Sequence, residues 1–387
     1  MVPNSASQFW RIGAAAALLF MTGLSWSRAV AQTPPSTSII KQATPARDPN
    51  TVGLVAGSPE EGALPFANEI ARVLAARQET GPNGELALRV LPIVGRGGLH
   101  DIRDVLSLPN ADLAITQEHM LARLEETKEL GDLKTKLVYI TKLFSEELHV
   151  VARQDIRQLS DLAGKPVNVG DHGGSAEDIV RSLFKLLGLT ISEVRMGQDE
   201  ALEEMRQGRV AATAFFASKP AAIAERLISD GGFHLIPIPF SADATTYLPT
   251  SLRNEDYPKL IPAGAEIETV AVATVLIAYN WPEKSSRYQL LGNFVDTFFS
   301  RFSELQAASR HGKWQEINLA ATLPGWKRFK PAERWLRNSQ PRETGTSLTG
   351  SVSRPGTSRR TASEVRGVEA ERLFEEFLLW REQRGRR

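Results

Sequence analysis

The chain has 387 residues, of which 42% are hydrophobic and 24% charged, and it contains no cysteine. That composition excludes a disordered chain or a single small module and predicts one large domain or two moderate ones. The 46 lysines and arginines nearly balance the 45 aspartates and glutamates, which argues against nucleic acid as a partner, and the lack of cysteine removes disulfides, thiolate nucleophiles, zinc–thiolate centres and a lipidated N-terminal cysteine.

The first predicted element is an address. Arg11 precedes an apolar run from Ile12 to Trp26, and Ala29-Val30-Ala31 follows as a small-x-small cleavage motif, the order of a secretory signal. The uncharged stretch Ile12 to Ser27 has 16 residues, short of the ~20 that a membrane-spanning helix needs. Residues 1–31 therefore read as a signal peptide cleaved after Ala31, and the mature chain does not span a membrane. An uncleaved anchor is the alternative, kept open by Arg28 inside the cleavage region.

Residues 32–50, rich in Pro, Ser and Thr, read as a flexible leader. From Thr51 to Ala56 a buried strand is predicted, then a helix with Leu64, Ala67, Ile70, Ala71 and Leu74 on one face. Strands at Leu86 to Val94 and Ala111 to Thr116 flank a short helix from Leu99 to Leu106, and another helix starts near Gln117. Two strand-like runs follow close together, Leu137 to Phe144 and Leu148 to Ala152. Then Val167 to Val169 is a strand, with a helix through Ile179, Leu183, Leu186 and Leu187 that stops at Gly188. Strands at Ile191 to Met196, Val210 to Phe216 and His234 to Ile238 alternate with helices near 199–207 and 219–229. The longest apolar run, Val270 to Tyr279, precedes a long helix over about 284–310. Such alternation predicts an α/β architecture with mostly parallel sheets. Residues 339–363 read as a linker, and 364–387 as a C-terminal segment whose Ala370, Leu373, Phe374, Phe377 and Leu378 share one face of an amphipathic helix.

Three glycine turns stand out, each after a predicted strand and before a helix: Gly57 to Gly62, Gly95 to Gly98, and Gly170 to Ser175. Glycine lets backbone N–H groups approach a ligand, and a helix start adds unpaired donors and partial positive charge. Each turn is either such a cradle or a plain tight turn with a capped helix. Arg96 either pins an anion or stands in solvent, and Glu60 and Glu61 support a helix start better than they form a catalytic pair. None of the six histidines pairs with another at a metal-binding spacing, and no Gly-x-Ser-x-Gly elbow or Walker loop occurs. No catalytic residue, metal site or cofactor is predicted.

Several segments carry a resemblance: Ala111-Asp-Leu-Ala-Ile-Thr-Gln117, Leu143-Phe-Ser-Glu-Glu-Leu-His-Val-Val-Ala-Arg153, Leu159-Ser-Asp-Leu-Ala-Gly-Lys-Pro-Val-Asn-Val-Gly170, Thr213-Ala-Phe-Phe216 and Asn318-Leu-Ala-Ala-Thr-Leu-Pro-Gly-Trp326. Over about residues 50–338 the chain resembles the TAXI family of extracytoplasmic solute-binding proteins that serve TRAP transporters. The resemblance implies a type II periplasmic-binding fold: two α/β lobes (51–142 with 271–338, and 143–270) joined by a hinge of two crossing strands. It implies a periplasmic protein that captures a small organic acid or amino acid and hands it to a TRAP-type permease. Carried over by position, the ligand-binding residues are Ser58, Arg96, Gly97 and Gln117 from one lobe, and His172, Gly174, Ser175, Phe216 and Lys219 from the other. The sequence departs from the family at Pro59 to Leu64, at Thr213, and in the second glycine turn, and these changes bear on ligand identity. A ligand-loaded partner of a sensor protein and an exported enzyme are the other two readings.

Overall fold

The computed structural model describes residues 49–57, 62–75, 88–172, 174–229, 232–240 and 247–339. The predicted signal peptide, most of the leader, Ser58, both glutamates of the first turn, Gly173, the linker and the C-terminal amphipathic helix lie outside the described residues. The chain divides into Met1–Glu333 and Arg334–Arg387; of the latter only the end of one helix, through Ser339, is described.

The first lobe opens with β1 (Thr51–Val55), α1 (Ala63–Ala75), β2 (Arg89–Ile93), α2 (Gly98–Ser107), β3 (Leu113–Gln117), α3 (Glu118–Thr127) and the short α4 (Leu133–Lys136). The strand β4 (Leu137–Arg153) then carries the chain into the second lobe. There follow β5 (Pro166–Asn168), α5 (Ser175–Leu186), β6 (Ser192–Val194), α6 (Gln198–Arg206), β7 (Ala212–Ala217), α7 (Ala222–Ser229), β8 (Phe233–Leu235) and β9 (Leu248–Arg253). The return strand β10 (Glu266–Tyr279) leads to α8 (Ser286–Ser300), α9 (Phe302–Leu305), a 3-10 turn at Gly312–Glu316 and α10 (Lys330–Ser339).

The strands hydrogen-bond in the order β2-β1-β3-β10-β4-β7-β5-β6, with β8 on β4 and β9 on β10. Within each lobe the outer strands are parallel, β2-β1-β3 and β7-β5-β6, whereas β4 and β10 run antiparallel to their neighbours. Two parallel-sheet lobes joined by two long shared strands make the type II periplasmic-binding arrangement. Glu147 marks the handover, since it pairs with Ala271 of β10 and also with Ala217 of β7.

Each lobe has its own core. Val55, Ile102, Met120, Leu121, Leu124 and Ile277 cluster in the first. In the second, Leu148, Val167, Ile179, Val180, Leu183 and Phe216 fill one face of the sheet, while Val151, Phe215, Leu235 and Tyr257 fill the other. The buried face of α1 contains Phe66, Ala67, Ile70 and Leu74, so Phe66 takes the place expected for Leu64. Its ring stacks on Phe144 with centroids 3.6 Å apart and meets Trp314 edge-on. Arg287 of α8 reaches back to Asp112, whose Oδ2 also accepts from Gly53 N–H at 3.0 Å, so a buried ion pair fastens the return segment to β1 and β3.

Three differences from the sequence expectation have physical causes. The runs 137–144 and 148–152 form one strand, because the intervening Glu146 and Glu147 are buried on partners from distant chain segments. The helix expected over 284–310 stops at Ser300, where Arg301 leaves helical geometry with φ −105° and ψ 11°, and resumes for one turn as α9. Strand β9, Leu-Pro-Thr-Ser-Leu-Arg, carries little apolar alternation and is set by its pairing with β10.

Among the described residues no helix is long and apolar enough to cross a membrane.

Candidate functional site

In sheets of this kind the carboxyl ends of the parallel strands are where ligands sit. Here those ends face each other across the strand crossing. His100 of α2 donates through Nε2 to the carbonyl of His172, 3.2 Å away, in the loop before α5. A second approach joins the loop before α1 to the end of β7: a side chain at Gly62 would place its Cβ 3.1 Å from the backbone nitrogen of Ser218. Only glycine fits there, because the φ of Gly62 is also +69°.

On the first lobe the Gly95 to Gly98 turn is built around a carboxylate of the chain itself. Asp101, fully buried in the first turn of α2, accepts from Arg96 N–H at 3.0 Å and Gly97 N–H at 2.9 Å through Oδ1, and from Gly57 N–H at 2.7 Å through Oδ2. A Cβ on Gly95 would lie 2.2 Å from Oδ1, which explains that glycine. The backbone donors that would cradle an anion are therefore already occupied at Arg96 and Gly97, and the Arg96 side chain is exposed. Burial pushes the Asp101 carboxyl above the usual carboxylate range, against the pull of its three N–H donors.

Gln117, at the end of β3, is 5% exposed and donates through Nε2 to Glu146 Oε2 at 2.8 Å. Its Oε1 has no partner, and neither does the hydroxyl of Ser218, which is 3% exposed. Continued one residue past the Glu147–Ala217 pair, the antiparallel register brings Ser218 alongside Glu146. Gln117, Glu146 and Ser218 thus form a buried polar row on the floor of the crossing.

On the opposite side of β4, Glu147 accepts from Lys313 Nζ at 2.5 Å and from Lys219 N–H at 3.0 Å. Burial works against the Lys313 ammonium, but the charges of Glu147 and Glu316 outweigh it and raise its pKa. The ammonium of Lys219 is committed elsewhere, to Ser251 O at 2.7 Å and Asp256 at 3.0 Å.

The second-lobe loop is set by Asn168. Its Oδ1 accepts from Gly170 and Met196 N–H, and its Nδ2 donates to Thr213, which in turn donates to Gln198 at 2.6 Å. Gly170 has φ +85° and turns the chain toward Gly174, the cap of α5, whose first residue is Ser175. The His172 side chain is 88% exposed and lies 3.3 Å from Glu177, which also receives Arg181 and Arg195. Phe216 is buried in the core of this lobe.

Of the residues named from sequence, the structure places Gly97, Gln117, Gly174, Ser175 and the His172 backbone at the facing strand ends. It puts Phe216 in a core and the Lys219 ammonium on Asp256, and Ser58 falls outside the described residues. Sequence reasoning missed Asp101, Glu146, Glu147, Ser218 and Lys313. One signal was available: two adjacent glutamates interrupting an otherwise apolar strand. A hollow of about 970 Å³ in the second lobe, between α7, β8 and Lys259, is lined by that lobe alone and away from the polar row.

His149 shows how the crossing responds to acid. Its Nδ1–H donates to Glu147 O at 2.9 Å, and Nε2 accepts from the Tyr257 hydroxyl at 2.7 Å. Burial pushes its pKa down to about 4, and that of His119 to about 3. A histidine depressed in the folded state stabilises fully above its unfolded value of about 6.5, and that stability is lost as pH falls toward the folded value. Between pH 7.5 and 5.0 the unfolding free energy from urea titrations is expected to drop by roughly 2 kcal/mol for each of these histidines; a constant value over that range would contradict their burial as neutral groups.

A model of the NMT1-like family matches residues 69–327. Similar solved structures include the periplasmic aliphatic sulphonate binding protein SsuA from Escherichia coli, at 16% identity and TM-score 0.41 over 85% of this chain and 93% of that one. MatC from Rhodopseudomonas palustris with bound malate is 18% identical, with TM-score 0.40 over 66% and 88%. The periplasmic binding protein BugD is 13% identical, with TM-score 0.44 over 74% and 93%. No curated protein matches the chain.

Proposed function

The chain belongs to the NMT1-like family, and from that premise we propose that it is an exported solute-binding protein of the TAXI type. It captures a small organic acid or amino acid between its lobes in the periplasm and delivers it to a TRAP-type permease. The observation that carries this reading is the polar row at the strand crossing. The Gln117 Oε1 acceptor and the Ser218 hydroxyl, both buried and without a protein partner, lie where two sets of strand ends meet, and groups of that kind are normally satisfied by a ligand or water. Closure works by differential contact: a solute that touches both lobes binds the closed state better than the open one and shifts the population toward it. The reading is of a binder, not an enzyme, because Glu147 is tied to Lys313, Glu146 is held by Gln117, and His149 is locked between a carbonyl and a tyrosine.

Thermal shift of the mature protein, stripped of carried-over ligand by unfolding and refolding, tests the proposal against amino acids, mono- and dicarboxylates and keto acids. A ligand at ~100 times its Kd adds about 2.7 kcal/mol, which raises Tm by a few degrees. A selective shift, with the compound recovered unchanged, is the expected outcome. A flat panel would sink the solute-binding reading, and consumption of the compound would replace it with an enzyme. Uptake of the hit by vesicles holding a TRAP permease, dependent on added protein, tests the delivery step.

A further inference from the structure

We infer that His100 is the latch of this cleft. Its Nε2–H, bonded to the backbone carbonyl of His172, holds the two lobes closed at the mouth and sets how fast a captured solute escapes. The inference rests on the solute-binding reading for the escape step, whereas lobe closure can be measured without a solute.

A carbonyl oxygen can only accept, so the 3.2 Å contact requires the proton on His100 Nε2. The donor sits in the first turn of α2, in the first lobe, and the acceptor in the loop before α5, in the second. Each end is fixed to its own lobe. The backbone N–H of His100 donates to Gly97 O at 3.1 Å, and the neighbouring Asp101 gathers the N–H groups of Gly57, Arg96 and Gly97. Around His172, Asn168 Oδ1 receives Gly170 N–H at 3.2 Å, and Gly174 N–H donates to Asp171 O at 3.0 Å. Neither end can follow the other when the lobes part, so opening breaks the bond. The polar ties nearer the crossing differ in this respect. Gln117 and Lys313 reach Glu146 and Glu147, which lie on β4, the strand that both lobes share. A rotation about the crossing changes such ties least and separates points at the mouth most. The His100 bond lies on the solvent side, beside a His172 ring that is exposed, whereas Gln117 and Ser218 are buried. An interaction made in the closed state and absent from the open one shifts the population by its own net strength. For one hydrogen bond that is a factor of about three to ten.

Because the chain has no cysteine, cysteines introduced at the exposed Glu126 of α3 and Glu200 of α6 carry spin labels at those two sites alone. Pulsed electron paramagnetic resonance then reads the lobe separation in the ligand-free mature chain. A closed and an open distance are expected with His100 in place, and His100→Leu is expected to lower the closed-to-open ratio about three- to tenfold. His100→Gln, whose amide nitrogen can still donate, should restore most of the ratio, a rescue that a general loosening of α2 would not give. For any compound that shifts the melt, His100→Leu should raise the dissociation rate by the same factor and leave association within about twofold. The latch would be overturned by an unchanged ratio, by no closed population with His100 in place, by failure of His100→Gln to rescue, or by an effect on association alone. Each of those results leaves the solute-binding reading standing on its own panel. If no compound binds, that reading fails, and the distance measurement still decides the latch.

Discussion

Replacing Lys313 by alanine is expected to cost about 3–5 kcal/mol of unfolding free energy, the loss typical when one partner of a buried ion pair is removed. Lys313 and Glu147 are 5% and 2% exposed at their side chains. Without the ammonium, the Glu147 carboxylate keeps the Lys219 N–H as a partner but no counter-charge in hydrogen-bond contact. The damage is not confined to the pair. Lys313 belongs to a turn that Trp314 pins to α1, through Phe66 and a hydrogen bond from its indole to Glu69 at 2.5 Å. Glu147 therefore couples that first-lobe attachment to the β7 loop of the second lobe. Urea unfolding checks the prediction, and the double variant Lys313→Met with Glu147→Gln should recover most of the loss, since the amide keeps an acceptor for Lys219 N–H and buries no charge. The single variant should also be less impaired at pH 5 than at pH 8. A buried carboxyl that has lost its counter-charge has a raised pKa, so stability falls as pH rises and the charged form is enforced. A loss below about 1 kcal/mol at pH 8 would show that the pair is not the tie described here.

Asp101→Ala is the second large effect. The substitution leaves Gly57, Arg96 and Gly97 without the acceptor for their N–H groups, and each orphaned donor costs on the order of 1–3 kcal/mol when water cannot reach it. A total of about 3–5 kcal/mol is expected, because the Arg96 bond is only part-buried and recovers some solvation. Asp101→Asn should fall between alanine and wild type. Its oxygen can still accept from Arg96 and Gly97, but its NH2 would face the Gly57 N–H, donor against donor. Since this carboxylate holds the ends of β1 and β2 together, both variants should also weaken the proposed solute binding in proportion to the loosening of the turn. Stability unchanged to within about 0.5 kcal/mol in Asp101→Ala would mean that the turn holds its shape without the cradle.

Much of the fold was legible because it is written locally. Alternating β-branched runs and helical faces give the α/β class, and the glycine turns mark strand ends that the structure places at the crossing. The amphipathic spacing of α1 identified the right helix, although the face rotated by enough to bury Phe66 instead of Leu64, since Phe144 and Trp314 offered an aromatic partner there. The resemblance supplied the two-lobed arrangement, which periodicity alone does not specify.

The site was less legible, and the reason is sequence distance. Gln117 meets Glu146 across 29 residues, Gly57 meets Asp101 across 44, and Lys313 meets Glu147 across 166. A turn such as Gly95-Arg96-Gly97-Gly98 reads as an anion cradle whether its N–H groups are free or filled, and only the packing of α2 against β1 decides that Asp101 fills them. Likewise, two adjacent glutamates in a strand read as a break, because an unpaired buried carboxylate is too costly to expect. The sequence by itself determined the elements, their order and the turns at which a ligand could lie, through short-range backbone and hydrophobic patterning. The tertiary structure alone decided which polar groups are spent on the protein and which, like Gln117 Oε1 and the Ser218 hydroxyl, are left without a protein partner, because that depends on groups brought together only when the two lobes are folded and joined.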